Sequence, residues 1–446
     1  MHFPYCGACS VDLDRLRRRG GTTFETAYKR RNHSGCHTNR QQRARDAVMP
    51  SGEAAMSPAG ALPRRRAVAF IILLGVISLF ADMTYEGARS ITGPYLGLLG
   101  LTGTTIGIVS GVGELVGYAV RLGSGYLADF SGRYWAVTIC GYLLNLLAVP
   151  LLALAGNWQI AVVLIIAERM GRAIRSPPRD AMLSHAAGQT GLGWGFGLHQ
   201  ALDQSGAVVG PLIVSGVLFL GDDYRAAFAV LLAPALVSIS LVLAARLLFP
   251  RPRDFELAPP ALDATGLAPT FRVYLVAVAF IAAGYADFAL IAYHFDKAAI
   301  MPATWIPIAY AIAMAADGAA GLMLGSLFDR IGLRAMILAT LISAAAAPLV
   351  FLGGFGFAVL GMACWGIGTG AQDSIMRATV SQLAPQDRRA IAFGIFNAVY
   401  GVAWFAGSVL LGVLYDLSIV GVVIASTGLQ AAAIPVLYGL VRRSAQ

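Results

Sequence analysis

The feature that most constrains this chain is an apolar stretch close to a helix-crossing length that recurs about twelve times between residues 67 and 441. An α-helix needs roughly 20 residues to cross about 30 Å of hydrocarbon, and a chain keeps so many such stretches only in lipid. With 57% hydrophobic and 13% charged residues, too little polar material exists to coat a soluble globule of 446 residues. The sequence therefore predicts an all-α integral membrane protein.

Expected spans are 67–98, 104–128, 134–154, 158–174, 193–220 and 225–249, then 273–295, 305–328, 336–352, 355–375, 390–415 and 419–441. They divide the chain into a basic extension (1–66), an N-terminal six-helix bundle (67–249), a linker rich in proline and charge (250–270) and a C-terminal six-helix bundle (271–446).

The formal charge of +9 invites a nucleic-acid reading until it is located. Residues 1–66 hold 13 Lys and Arg against 5 Asp and Glu, so eight of the nine net charges sit in that extension and the membrane body is nearly balanced. The extension has no cleavable signal pattern, so the first span is expected to serve as an uncleaved insertion signal. Met49 and Met56 offer alternative starts. Cys6, Cys9, His33, Cys36 and His37 carry donor atoms, but their spacing matches no compact zinc finger, and the segment reads as a disordered cytoplasmic leader with no metal. Cys140 and Cys364 stand alone in apolar spans and read as small core residues.

Two internal repeats follow. Gly125-Tyr126-Leu127-Ala128-Asp129-Phe130-Ser131-Gly132 recurs 200 positions later as Gly325-Ser326-Leu327-Phe328-Asp329-Arg330-Ile331-Gly332, and Phe196-Gly197 with Gly210 recurs as Phe393-Gly394 with Gly407 at an offset of 197. With the amino terminus inside, the inner connections collect Arg133, Arg175, Arg179, Arg251, Arg253, Arg330, Arg334, Arg377, Arg388, Arg389, Arg442 and Arg443, while the outer ones keep Arg225 and Lys297. That asymmetry predicts both termini in the cytoplasm. Trp158 and Trp305 fall at the expected outer boundary, Trp135 and Trp194 at the inner one.

The repeated loop, with Gly125, Asp129, Gly132 and Arg133 in one half and Gly325, Asp329, Arg330, Gly332 and Arg334 in the other, resembles the signature of the major facilitator superfamily. The first half departs from it in carrying Phe130 where a basic residue is usual and Tyr134 where a second cation is common. The resemblance implies two pseudo-twofold-related bundles, alternating access between them, and a cytoplasmic latch formed by these loops while the outside is open. Gly206, Gly210 and Pro211 in the fifth span are similar to the glycine-proline motif of the family's exporters, which implies efflux of a drug-like or metabolite molecule in exchange for protons. The stretch Glu168-Arg169-Met170-Gly171-Arg172 loosely resembles the family's arginine-glycine segment, with Met170 a departure.

A charge near the bilayer centre persists only if it faces a wet cavity or a partner, so the buried ionisable residues are site candidates. Asp82, Glu86 and Arg89 share one face of the first span, and Glu114 and Arg121 one face of the second. Glu168, Arg169 and Arg172 lie in the fourth span, and His199 and Asp203, beside Gln200 and Gln204, in the fifth. The second half offers Asp287, Asp317 and Gln372-Asp373 with Arg377. Either Asp82, Glu86, Glu114 and Asp203 include a proton-carrying carboxylate, or these groups are structural pairs such as Glu168 with Arg172 and Glu86 with Arg89. Tyr85, Tyr118, Phe196, Tyr285, Phe288 and Trp404 are lining or packing aromatics.

Other classes find no support in the motifs. The only lysines, Lys29 and Lys297, lie outside any glycine-rich phosphate loop, which argues against an ATP-driven pump, and no nucleophile elbow or paired-histidine helix suggests an enzyme. The expectation is a monomeric plasma-membrane carrier with a small-molecule substrate, protons and lipid as partners, and no cofactor or nucleic acid. A proton-coupled uptake symporter or facilitator is the alternative direction, and a channel or transport-dead sensor the alternative class.

Overall fold

A computed structural model describes residues 64–188, 190–221, 223–250, 269–384 and 389–444, apart from the side chains at 129, 192, 193, 389, 390, 443 and 444. Most of the extension 1–66, with its cysteine and histidine cluster, and most of the linker 250–270 therefore lie outside the described residues. By contacts the chain divides into Met1–Ala59 and Gly60–Gln446, and only the second unit contains described residues.

Sixteen α-helices and no strand occur among the described residues, and they group into twelve spans. The first half holds α1 (Arg64–Leu98), α2 (Gly103–Ser131), α3 (Tyr134–Leu151), α4 (Trp158–Ala187), α5 (Leu192–Gly221) and a span broken into α6 (Tyr224–Val230) and α7 (Leu232–Leu248). The second holds α8 (Pro269–Gly284) with α9 (Phe288–Lys297), α10 (Trp305–Ile331), α11 (Arg334–Ala344) with α12 (Ala346–Leu352), α13 (Phe355–Ala371) with α14 (Arg377–Leu383), α15 (Arg389–Leu417) and α16 (Ile419–Ser444). Ten segments are long and apolar enough by themselves to cross a membrane. The other two crossings are α4, whose apolar run is diluted by Glu168, Arg169, Arg172 and Arg175, and α13–α14, interrupted by a π-turn at Gln372–Met376.

Span boundaries differ from expectation where side chains elsewhere repair the backbone. The fourth span was expected to stop at 174, before Pro177 and Pro178, yet α4 runs through both prolines to Ala187. Pro177 has no N–H to offer the carbonyl of Ala173, and the Ser124 hydroxyl of α2 donates to that oxygen instead, at 3.0 Å. Gly125 lies alongside; a methyl on it would meet the Pro177 ring at 3.4 Å. Arg175 and Arg179, expected in an inner loop, are consequently helical. The seventh span, expected to be continuous, breaks at Tyr285-Ala286-Asp287, where the Asp287 carboxylate caps α9 by accepting from Ala289 N–H at 2.9 Å and Trp365 Nε1 donates to the freed Ala286 carbonyl at 2.9 Å. Trp135, expected at the interface, is buried and donates to the Phe249 carbonyl at 2.9 Å.

Helix contacts repeat between the halves. α1 packs on α5 as α8 packs on α15, α2 on α4 as α10 on α13, and α1 on α7 as α8 on α16. The glycines at matching offsets explain the closest crossings: a Cβ on Gly206 or Gly210 would strike the Leu79 or Met83 carbonyl of α1, and one on Gly407 the Ala283 carbonyl of α8. The halves meet mainly through α2 with α15, α5 with α10 and α1 with α9, and less extensively through α2 with α9 and α1 with α10.

These joining pairs are not equally tight along their length. A methyl built on Gly412 would meet the Gly103 carbonyl at 2.7 Å, one on Gly401 the Tyr118 ring at 3.0 Å, and one on Gly394 the Leu122 side chain at 4.0 Å. The halves thus close where α2 begins and diverge toward the repeated loops after α2 and α10. The closed end is also bonded: Asp416 accepts from Gly103 and Thr104 N–H at 3.0 and 2.8 Å, and Ser215 donates to the Thr304 carbonyl at 2.8 Å.

Candidate functional site

Four arginines of α4, Arg169, Arg172, Arg175 and Arg179, recur at three- and four-residue intervals and so project from one stripe of the helix. Each meets an acid on a neighbouring helix. Arg169 lies 2.5 Å from Glu114 of α2, Arg172 3.8 Å from Glu86 and Arg175 3.5 Å from Asp82, both of α1, and Arg179 3.9 Å from Asp203 of α5. Removing such charges from water costs several kcal/mol per ion, and pairing each with an opposite charge is what offsets it.

Rings and amides complete the ladder. The Arg172 guanidinium lies 4.3 Å from the centre of the Tyr85 ring, and Arg175, only 1% exposed, lies 4.6 Å from Tyr142 and 5.5 Å from Tyr85. Asn145 of α3 donates to the Glu168 carboxylate at 2.9 Å, while Arg169 also approaches Glu168 at 3.5 Å. Arg179 donates to Ser78 at 3.1 Å, and His199 shares that hydroxyl at 2.9 Å. Glycine at 141 and 171 lets α3 approach this closely, since a Cβ on Gly141 would strike Arg175 and one on Gly171 would strike Asn145.

A second layer crosses between the halves. Arg89 stands 3.8 Å from Glu114 and 3.9 Å from Asp287, and Tyr310 donates to Glu86 at 2.5 Å. Gln204 donates to the Met314 carbonyl at 2.6 Å and to Asp317 at 3.3 Å. Asp317 is a buried carboxylate with no basic side chain within ion-pair distance among the described residues. Asp373 pairs instead with Arg377 at 3.1 Å on the exposed flank of the π-turn, where Gln372 accepts from Tyr400 at 2.5 Å.

The candidates named from sequence therefore fall in one interior, but with different partners. Glu86 reaches Arg172 and Tyr310 rather than Arg89, and Glu168 reaches Arg169 and Asn145 rather than Arg172. Arg121 makes no ion pair among the described residues and lies 5.6 Å from the Tyr118 ring centre. Sequence reasoning missed Arg175, Arg179, Asn145 and Tyr310. The three-, three- and four-residue spacing of the α4 arginines was the available signal for the first two; nothing local marks Asn145 or Tyr310.

At the open end, Gly132 and Gly332 each cap their helix at positive φ, 63° and 61°, conformations that side chains disfavour. Arg133, Asp329, Arg330 and Arg334 are exposed there and make no side-chain ion pair among the described residues; the Asp129 side chain lies outside them. Among the described residues, no ion pair joins the two loops at the end opposite the closed one. Asp416→Asn is expected to weaken that closed end by about 1 kcal/mol, a several-fold population shift, because a neutral amide replaces a charge-assisted acceptor of two helix-end N–H groups. Maleimide labelling of a cysteine introduced at Ser408 should accelerate accordingly; an unchanged rate would count against it.

Comparison with known proteins returns one family. The model of the Major Facilitator Superfamily matches residues 71–408 and also 275–446. An uncharacterized protein of Mycobacterium tuberculosis is 40% identical over 398 residues, covering 87% of this chain and 97% of that one. An uncharacterized MFS-type transporter of Methanocaldococcus jannaschii is 28% identical over 373 residues, covering 78% and 89%. Among solved structures, a nucleoside transporter, NupG, aligns at TM-score 0.64 with 14% identity over 83% of this chain and 98% of that one. An inward-facing, unoccupied bacterial homolog of the human lysosomal transporter Spinster aligns at 0.62 with 13% identity, covering 86% and 96%. At these identities the structural likeness shows the fold.

Proposed function

The chain belongs to the major facilitator superfamily and is a secondary transporter, not an enzyme, and from that premise we propose that it is a proton-coupled exporter of a small metabolite or drug-like solute. It works as a monomer in the plasma membrane, with both termini cytoplasmic, by alternating access about the cleft between its halves.

The observation that carries proton coupling is Asp317. A buried carboxylate that faces an amide rather than a guanidinium has no opposite charge to offset its desolvation, so taking up a proton is its cheapest means of neutralisation. It sits on α10 where α5 crosses, so its contact with Gln204 spans the two halves. Asp82, Glu86, Glu114 and Asp203, each beside an arginine, form the charged lining through which a proton or solute passes. The glycine-proline stretch of α5 supports export as the direction, and the closed end at Asp416, with exposed arginines at the opposite end, supports an inward-open resting state.

Inverted vesicles acidified by respiration test the reading against a panel of labelled metabolites and drugs. The expected result is accumulation of at least one compound that an uncoupler abolishes. Accumulation insensitive to the uncoupler would make the protein a facilitator, and accumulation only in right-side-out vesicles would reverse the direction.

A further inference from the structure

The wall of the cleft beside α2 presents three arginines, Arg121, Arg169 and Arg172, and one carboxylate, Glu114. Glu114, Tyr118 and Arg121 of α2 and Arg169 and Arg172 of α4 line a space of about 30 Å³. A water needs roughly 10–15 Å³ by this measure, so the space admits two oxygen atoms. Glu114 is engaged by Arg169 at 2.5 Å, and Arg172 lies 3.8 Å from Glu86, a separation that leaves it donors to spare. Arg121 has no such partner among the described residues: its Nε is buried without an acceptor, and the like charges of Arg377 and Arg172 act on it more strongly than the acid Asp180. Two further acids are paired elsewhere, Asp180 with Arg179 at 2.9 Å and Asp373 with Arg377 at 3.1 Å.

Beside this cleft the second half presents rings. Tyr118 meets Tyr400 at 5.4 Å between centroids, Tyr400 meets Trp404 at 5.5 Å, and Trp404 meets Tyr285 at 5.4 Å. Trp404 is 7% exposed, and its Nε1 also lacks an acceptor. Unsatisfied buried donors are costly, and two of them on either side of Tyr400 and Tyr118 call for a ligand that brings acceptors and a flat body.

We propose that the transported solute is an aromatic anion, its carboxylate or phosphate held by Arg121 and Arg172 and its ring laid against Tyr118 and Tyr400. A guanidinium fork fits either head group, and tyrosine faces supply apolar contact at low cost in side-chain freedom. The inference rests on the carrier reading only in taking the cleft as the solute's path. It also agrees with export: one proton entering for one monovalent anion leaving moves two charges in the sense that an inside-negative potential favours.

Binding to the purified full-length chain in detergent, followed by calorimetry, separates this inference from proton coupling because it needs no gradient. The probes are benzoate, phenyl phosphate, acetate, inorganic phosphate and benzylamine. Benzoate or phenyl phosphate is expected to bind about tenfold or more tighter than acetate, inorganic phosphate and benzylamine, and the tighter of the two identifies the head group. Arg121→Gln should weaken that probe by about tenfold and Arg121→Lys by less, while the exposed Arg272→Gln leaves it unchanged. Should Arg121→Gln not fold, Arg121→Lys and Tyr118→Leu carry the test, each with a loss of about threefold or more. Benzylamine binding as tightly as benzoate, wild-type affinity in the Arg121 variants, or no anion binding at about 10 mM would each overturn the proposal. Anion binding without uncoupler-sensitive transport would instead sink the proton-coupled reading alone.

Discussion

Arg175→Leu is expected to destabilise the protein by about 3–5 kcal/mol, the largest effect of any single substitution in the ladder. Arg175 is 1% exposed and its Nη2 lies 3.5 Å from Asp82, itself 3% exposed, so leucine leaves a carboxylate in the interior with no counter-charge. It also removes the cation held between the Tyr142 and Tyr85 rings, at 4.6 and 5.5 Å. Thermal melting in a fixed detergent measures the loss. Adding Asp82→Asn to Arg175→Leu should restore part of it, since the stranded charge then disappears, and the non-additivity gives the coupling energy. A single variant that melts with the parent, or a double variant no better than the single, would show that this pair does not hold the helices together.

Asp317→Asn should separate transport chemistry from folding. Asparagine keeps the size of the group and can still accept from Gln204, which lies 3.3 Å away, but it cannot carry a proton. Proton-driven accumulation is expected to fall by about ten- to a hundredfold, the scale of a coupling free energy of roughly 1–3 kcal/mol, while exchange of solute down its own gradient persists. Asp82→Asn and Glu114→Gln are less discriminating, because the first strands Arg175 and the second leaves Arg169 only its longer pair with Glu168, so each acts on the fold as well. If Asp317→Asn kept full proton-driven accumulation, the coupling group would have to be sought among the arginine-paired acids.

The glycines show how packing and access share one design. Gly93 of α1 lies so close to α9 that a Cβ would overlap the Ala289 carbonyl, and Gly107 of α2 would overlap Ser408 of α15. Gly117, Gly123 and Gly325, further toward the open end, have no such neighbour. Small residues at the closed end let two backbones meet, which lipid solvation would not otherwise drive. Opening that end in the other half of the cycle means parting these same surfaces.

Apolar length and composition marked this chain as a membrane protein of about twelve crossings, although two of them, α4 and α13–α14, are too polar or too interrupted to stand out by hydropathy alone. The repeats at offsets of 200 and 197 made the two halves legible, and the cost of charge in lipid made Asp82, Glu86, Glu114 and Asp203 visible as interior groups. Partner choice was not legible, because which acid meets which arginine depends on helix rotation and crossing distance rather than on spacing within one helix. Arg175 looked like a loop residue beside Pro177 and Pro178, and the Ser124 hydroxyl that satisfies the carbonyl freed by Pro177 comes from 49 positions away in sequence. Tyr310 reaches Glu86, and Gln204 reaches Asp317, across 224 and 113 residues. Those contacts exist because two bundles pack face to face, and so tertiary structure decided which carboxylate was left without a cation and which arginine without an acid.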